Sequence, residues 1–188
     1  MIRPHIFAAC DNSYYKLFAA QFIESAEANG HTVQVFCNGE WALDRRAHHA
    51  AMRFRILPLI LLCHPAVLVL DVDSVVREPI EIEPEFDLGV FPRLDKADEA
   101  KRIMGGIFYC TDRAREFALS VAQRLDVADP IQWGDDQLAL WRTYEDLRGK
   151  FRIKKFTTRT FDWENPTRPR IYTAKGLRKI KPEFIRAA

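Results

Sequence analysis

Two carboxylates, Asp71 and Asp73, close the apolar run of "AVLVLDVDSVV" (66–76). In an extended chain, residues i and i+2 project to one side, so this pair can converge on a single point. At the carboxyl end of a buried parallel strand, that point lies in the crevice where α/β sheets take their ligands. Two carboxylates held close in a dry site repel each other, and one tends to take up a proton. A divalent cation removes the conflict. Mn²⁺ or Mg²⁺ uses one or two carboxylates and fills its other positions with water and phosphate oxygens. The chemistry indicated is a metal–diphosphate site, although carboxylates at strand ends also serve simply to cap turns.

Other polar residues extend the pattern. "GDDQ" (134–137) places Asp135, Asp136 and Gln137 at a helix start, where acids also suit the helix dipole without doing chemistry. "MRFRILPLILL" carries Arg53 and Arg55, and "ACDNSYY" carries Asp11, Asn12 and Tyr14. The chain has 188 residues and a net charge of +2, but from Lys150 onward twelve Lys/Arg face three Asp/Glu. Residues 78 to 99 are mainly acidic. A basic tail suits phosphate-bearing partners: a nucleotide, a nucleic acid or an anionic surface.

Several classes lose support. The four cysteines form no CxxC or CxxxC pair, which removes zinc-ribbon and thioredoxin-like readings; His48 and His49 have no partner at ligand spacing, and none of the five histidines is expected to be catalytic. The opening "MIRPHIFAACDNSYY" does not read as a signal peptide. The longest apolar run, "ILPLILLCHPAVLVL", is interrupted by Pro58, His64 and Pro65 and falls short of the roughly 20 residues needed to span a bilayer. The expectation is a cytoplasmic protein with reduced thiols, at most peripheral to a membrane.

These residues need a scaffold, and the first half of the chain supplies its outline. "HIFAAC", "TVQVFC" and "AVLVLD" read as buried strands. Between them, "SYYKLFAAQFIESAEANG" has the apolar spacing of an amphipathic helix, with Ser13 as N-cap and Gly30 as terminator. A second helix is predicted over about residues 43 to 63, kinked or split by Pro58. Strand–helix alternation indicates a parallel α/β sheet flanked by helices. Further on, "FDLGVF" and "GGIFYC" read as strands and "TDRAREFALSVAQRL" and "GDDQLALWRTYEDL" as helices. The tail holds short strand signals broken by Pro166, Pro169 and Pro182. One domain is expected, in two halves, 1–76 and 77–188.

The motifs in this order resemble the GT-A type nucleotide-sugar glycosyltransferases, the class that includes glycogenin and bacterial lipopolysaccharide galactosyltransferases. "LVLDVDSVV" is similar to that family's "LYLDxDxxV", "MGGIFYCTD" to its "FNxGV" strand, "GDDQLAL" to its "GDQxxLN" helix start, and "TAKGLRK" (173–179) to its "HxxGxxK". The resemblance implies a Rossmann-related fold, with residues 1–76 as a nucleotide-binding half and 77–188 as a sugar- and acceptor-binding half. It implies that Asp71 and Asp73 bind the metal, that Tyr14 stacks on the nucleoside with Asp11 nearby, and that Arg53 or Arg55 reaches the nucleotide sugar. It also implies that Asp136 and Gln137 lie beside the donor sugar, and that Gly176 and Lys179, with Lys175 and Arg178, approach the diphosphate. Two positions depart from the family: Thr173 stands where the third metal ligand, a His, is expected, and Met104 replaces the Asn of "FNxG".

The function expected is therefore glycosyl transfer from a nucleotide-diphosphate sugar, most simply a UDP sugar, to an unidentified glycan or lipid-linked saccharide, assisted by Mn²⁺ or Mg²⁺. Two alternatives differ in class. A haloacid-dehalogenase-type phosphatase would use Asp71 as nucleophile and "GDD" as an acidic metal motif, but "GDD" follows no apolar strand and a whole βαβα unit precedes Asp71. A non-catalytic module binding a nucleotide or, through its basic tail, nucleic acid is the other. Aromatic-rich strands or a recognition helix, which nucleic-acid binding would call for, are missing from the pattern.

Overall fold

A computed structural model describes residues 1–37, 46–128, 130–164 and 169–173. Among these, six strands form a central sheet in the order β2-β1-β3-β6-β5-β7. They are β1 (His5–Cys10), β2 (Val33–Cys37), β3 (Ala66–Leu70), β5 (Leu88–Pro92), β6 (Ile103–Thr111) and β7 (Ile153–Lys155). β1 pairs in parallel with β2 and β3, and β5 in parallel with β7. β6 runs antiparallel to both β3 and β5. Five strands therefore point one way and β6 points back, giving the mostly parallel α/β sheet expected. A second sheet, β4-β9-β8, joins β4 (Ser74–Val76), β9 (Ile171–Thr173) and β8 (Phe161–Asp162).

Side-chain alternation divides the core into two layers. Phe7, Val67, Val69 and Phe108 face helices α3 (Arg46–Cys63), α4 (Arg115–Asp126) and α5 (Asp135–Leu147), meeting Phe54, Leu57, Phe117, Val121 and Leu140. Ile6, Ala8, Leu68, Leu70 and Tyr109 face the other way, onto α2 (Ala20–Ala28) and the small sheet, through Phe22, Phe161 and Ile171. Every residue of β3 and β6 is buried. Each large side chain so enclosed contributes roughly 1.5–3 kcal/mol of transfer free energy.

Three expectations are corrected. The first helical segment is capped by Asp11, whose side chain accepts the backbone N–H of Tyr14, and not by Ser13. Its early turns are α1 (Asn12–Tyr14) and a π-helical stretch, Tyr15–Ala19, before α2 begins. Pro58 does not split its helix: α3 is continuous through it, and the Pro58 carbonyl accepts the Nε–H of Arg115 at 3.2 Å. The paired aspartates do not lie in a strand. β3 ends at Leu70, and Asp71 opens a turn closed by the Ser74 N–H donating to the Asp71 carbonyl at 3.0 Å.

Candidate active site

The turn at the carboxyl end of β3 presents Asp71 half-buried and buries Asp73. Val72, between them, joins the apolar layer and anchors the turn. Arg53, from the middle of α3, reaches this point although its side chain is almost fully enclosed (6% exposed). Its guanidinium binds Oδ1 of Asp71 through Nη1 and Oδ2 of Asp136 through Nη2, the latter at 3.0 Å. Burial alone would lower the arginine's pKa, but the two carboxylates outweigh it and raise the value, so the charge is retained.

Asp136 comes from the first turn of α5. Gly134, at φ +99°, makes the left-handed entry to that helix, a conformation that a side chain would strain. Asp135 then turns outward, its Oδ2 accepting the Gln132 N–H at 2.7 Å, whereas Asp136 faces the interior. Gln137 follows, half-buried, with its Oε1 accepting from Nη2 of Arg93 at 2.9 Å. "GDDQ" thus divides its labour: one carboxylate shapes the turn and the other meets the arginine.

β6 makes the close approach possible. Its register against β5 shifts between Val90 and Pro92, a local irregularity spanning the Gly105–Gly106 pair. A Cβ on Gly106 would stand 2.6 Å from Oδ2 of Asp71. One on Gly105 would stand 2.9 Å from Oδ2 of Asp136 and 3.2 Å from Nη2 of Arg53. Asp71, Asp136 and Arg53 converge on bare backbone. Phe161 borders the same spot, and with Phe91 and Trp163 it forms an aromatic group at centroid distances of 5.9–6.4 Å.

The remaining candidates separate. Arg55 lies on the other side of α3, where Nη2 donates to the Leu125 carbonyl and Nε lies 3.0 Å from Asp126 at the end of α4. A cation there also suits the helix dipole. Tyr14 is half-buried with its ring tilted on Phe18 at 5.3 Å, and Asp11 is engaged as the helix cap. Asn12 accepts from the Cys37 thiol at 2.8 Å. Thr173 is fully buried in β9, paired with Ser74 in β4, their hydroxyls 2.6 Å apart. Met104 is buried in the apolar layer below the sheet. Lys175, Gly176, Arg178 and Lys179 lie outside the described residues.

Sequence reasoning missed Arg93, whose position in no motif announced a link to Gln137. It also missed the use of the second glycine, although "GG" inside an apolar strand signals close approach of another group.

Asp71 and Asp73 are hard oxygen donors of the kind Mn²⁺ and Mg²⁺ prefer. Among the described residues no cluster of three or more His, Cys, Asp or Glu forms a metal cage, and the hydroxyl of Thr173 is engaged with Ser74. Two carboxylates alone would hold only a cation that completes its shell with water and phosphate.

No protein-family model matches this sequence, and no curated protein does. Solved structures do share its architecture. A glycosyltransferase involved in the glycosylation of the major capsid of PBCV-1 superposes with a TM-score of 0.65 at 15% identity, over 90% of this chain and 93% of that one. The apo form of the glycosyltransferase GlyE from Streptococcus pneumoniae TIGR4 superposes with a TM-score of 0.61 at 9% identity, over 94% of this chain and 55% of that one. This chain thus corresponds to about half of the second protein. At these identities the likeness is one of fold: a single α/β domain of the kind found in glycosyltransferases.

Proposed function

We propose that this chain transfers a sugar from a nucleotide-diphosphate donor, a UDP sugar, to a saccharide acceptor, with Mn²⁺ or Mg²⁺ held by Asp71 and Asp73. The observation that carries this reading is the meeting of Arg53, Asp71 and Asp136 against the bare backbone of Gly105 and Gly106. Three elements distant in sequence bring opposite charges to one point at the carboxyl end of β3, where this class of sheet binds ligands.

Each side chain then has a task. Tyr14 offers a ring to the nucleoside, with Asp11 fixing the helix that carries it. The bound cation neutralises charge on the leaving diphosphate. Arg53 contributes positive charge beside it, and Asp136 faces the donor sugar, where its carboxylate accepts sugar hydroxyls and opposes positive charge developing at the anomeric carbon. Gln137 has its carbonyl oxygen engaged by Arg93, which fixes the side chain, and its amide N–H groups would donate to a sugar oxygen. The tail residues Gly176 and Lys179 are assigned to the diphosphate by motif resemblance alone. The aromatic group of Phe91, Phe161 and Trp163 provides an apolar wall for a sugar ring of donor or acceptor.

Calorimetric titration of UDP tests this directly. The wild-type chain should bind UDP tightly only when Mn²⁺ is present. Asp71→Asn should weaken that binding by about tenfold or more, equivalent to ~1.4 kcal/mol. Equal UDP affinity with and without metal, unchanged in the variant, would remove the metal–diphosphate site and the reading with it.

A further inference from the structure

We propose that Arg53 acts as a stand-in cation, occupying Asp71 until a divalent metal and a diphosphate arrive together. The inference rests on the site reading above and adds a function for the Arg53–Asp71 ion pair.

The geometry forces a choice on Asp71. Its Oδ2 lies against β6, 2.6 Å from where a Cβ of Gly106 would stand, so that oxygen faces backbone. Its Oδ1 is held by Nη1 of Arg53. A cation that coordinates Oδ1 therefore competes with the guanidinium that now holds it. The two positive groups compete for one acceptor.

Arg53 is built to yield it without leaving. Its second arm, Nη2, stays with Oδ2 of Asp136 at 3.0 Å, and its guanidinium lies 5.1 Å from the centroid of the Phe54 ring. When Asp71 turns to a metal, Nη1 is left without its carboxylate in a nearly closed site, which is unfavourable unless another anion replaces it. A diphosphate oxygen supplies that anion. Metal alone must displace Arg53 with no compensation, and diphosphate alone meets uncompensated carboxylates. Each therefore favours the other, a reciprocal coupling between two ligands.

The test is Mn²⁺ affinity in the absence of nucleotide, a quantity that a purely structural arginine would not improve when removed. Mn²⁺ alone is titrated into the full chain by calorimetry for wild type, Arg53→Lys and Arg53→Met, and the titrations are repeated with UDP present. Wild type should bind Mn²⁺ weakly alone and more tightly with UDP. Arg53→Met should bind Mn²⁺ alone at least about tenfold more tightly, Arg53→Lys should fall between, and the enhancement by UDP should shrink by the same factor. If Arg53→Met is unfolded without metal, recovery of a cooperative thermal transition on adding Mn²⁺ supports the proposal, and failure to recover it counts against it. A folded Arg53→Lys whose Mn²⁺ affinity matches wild type within about twofold, or is weaker, overturns the stand-in role while leaving UDP·Mn²⁺ binding intact. A wild-type chain that binds no UDP even with Mn²⁺ overturns the transferase reading and this inference together.

Discussion

At the scale of single residues, the site depends as much on what is missing from two positions as on the charged groups around them. Gly105 and Gly106 let carboxylates from a turn and a helix approach the same stretch of strand. Gly106→Ala would set a methyl carbon 2.6 Å from Oδ2 of Asp71 and 3.3 Å from Cζ of Phe161, so Asp71 must move. The expected cost is about 1–3 kcal/mol in urea unfolding, as for other overpacked sites, with weakened UDP·Mn²⁺ binding. Gly149→Ala is the control, because a Cβ there meets nothing within 4 Å and neither property should change beyond experimental scatter. Equal behaviour of the two variants would mean that Asp71 has room to relax. The carboxylates and arginines were visible in the sequence by type and spacing. Which arginine faces inward was not, because Arg53 and Arg55 differ only in which side of α3 they occupy, and neighbouring elements decide that.

Among elements, the least legible feature was the small sheet that clasps the turn after β3. The pairing β4-β9-β8 brings residues from the end of the described chain next to Ser74. Strands of two or three residues separated by proline carry no periodicity long enough to reveal their partners. The reversed direction of β6 was equally hidden, since a fully buried strand reads the same whichever way it runs. By contrast, β1, β2 and β3 and the helices between them were evident from apolar runs and helical spacing. The Ser74–Thr173 hydroxyl pair offers a test of the clasp. Thr173→Val keeps the shape but leaves the buried Ser74 hydroxyl without that partner. Stability should fall by about 1–2 kcal/mol, and Mn²⁺ affinity should be unchanged, because the threonine is bound to Ser74 and not facing a ligand. A loss of Mn²⁺ affinity in this variant, with stability preserved, would instead place Thr173 among the metal's partners.

For the molecule as a whole, buried neutral histidines make stability depend on pH in one direction. His31 links the segment that follows β4 to the residue before β1: Ile80 N–H donates to its Nε2 at 3.0 Å, so Nδ1 carries the proton and donates to the Pro4 carbonyl at 3.1 Å. A second proton on Nε2 would set two donors against each other. Burial pushes the pKa of His31 down, with Arg3 adding to the effect, and it lowers that of His49. His5, stacked on His64 at 3.7 Å, is pushed down to about 4 by burial and by that second ring. The unfolded chain takes up protons on these rings near pH 6.5, whereas the folded chain refuses them, so the unfolded state gains as pH falls. The stabilisation is complete above about pH 6.5 and is lost progressively below it, for His5 until about pH 4. His5 alone removes about 1 kcal/mol between pH 8 and pH 5.5, and His31 and His49 act in the same direction, before carboxylate titration contributes. Urea unfolding across that range should show the midpoint falling with acidity. His31→Gln should be less stable at pH 8 yet lose less on acidification, since one of the three rings is gone. A midpoint that is flat or rises toward pH 5.5 would show that these rings already accept protons in the folded protein.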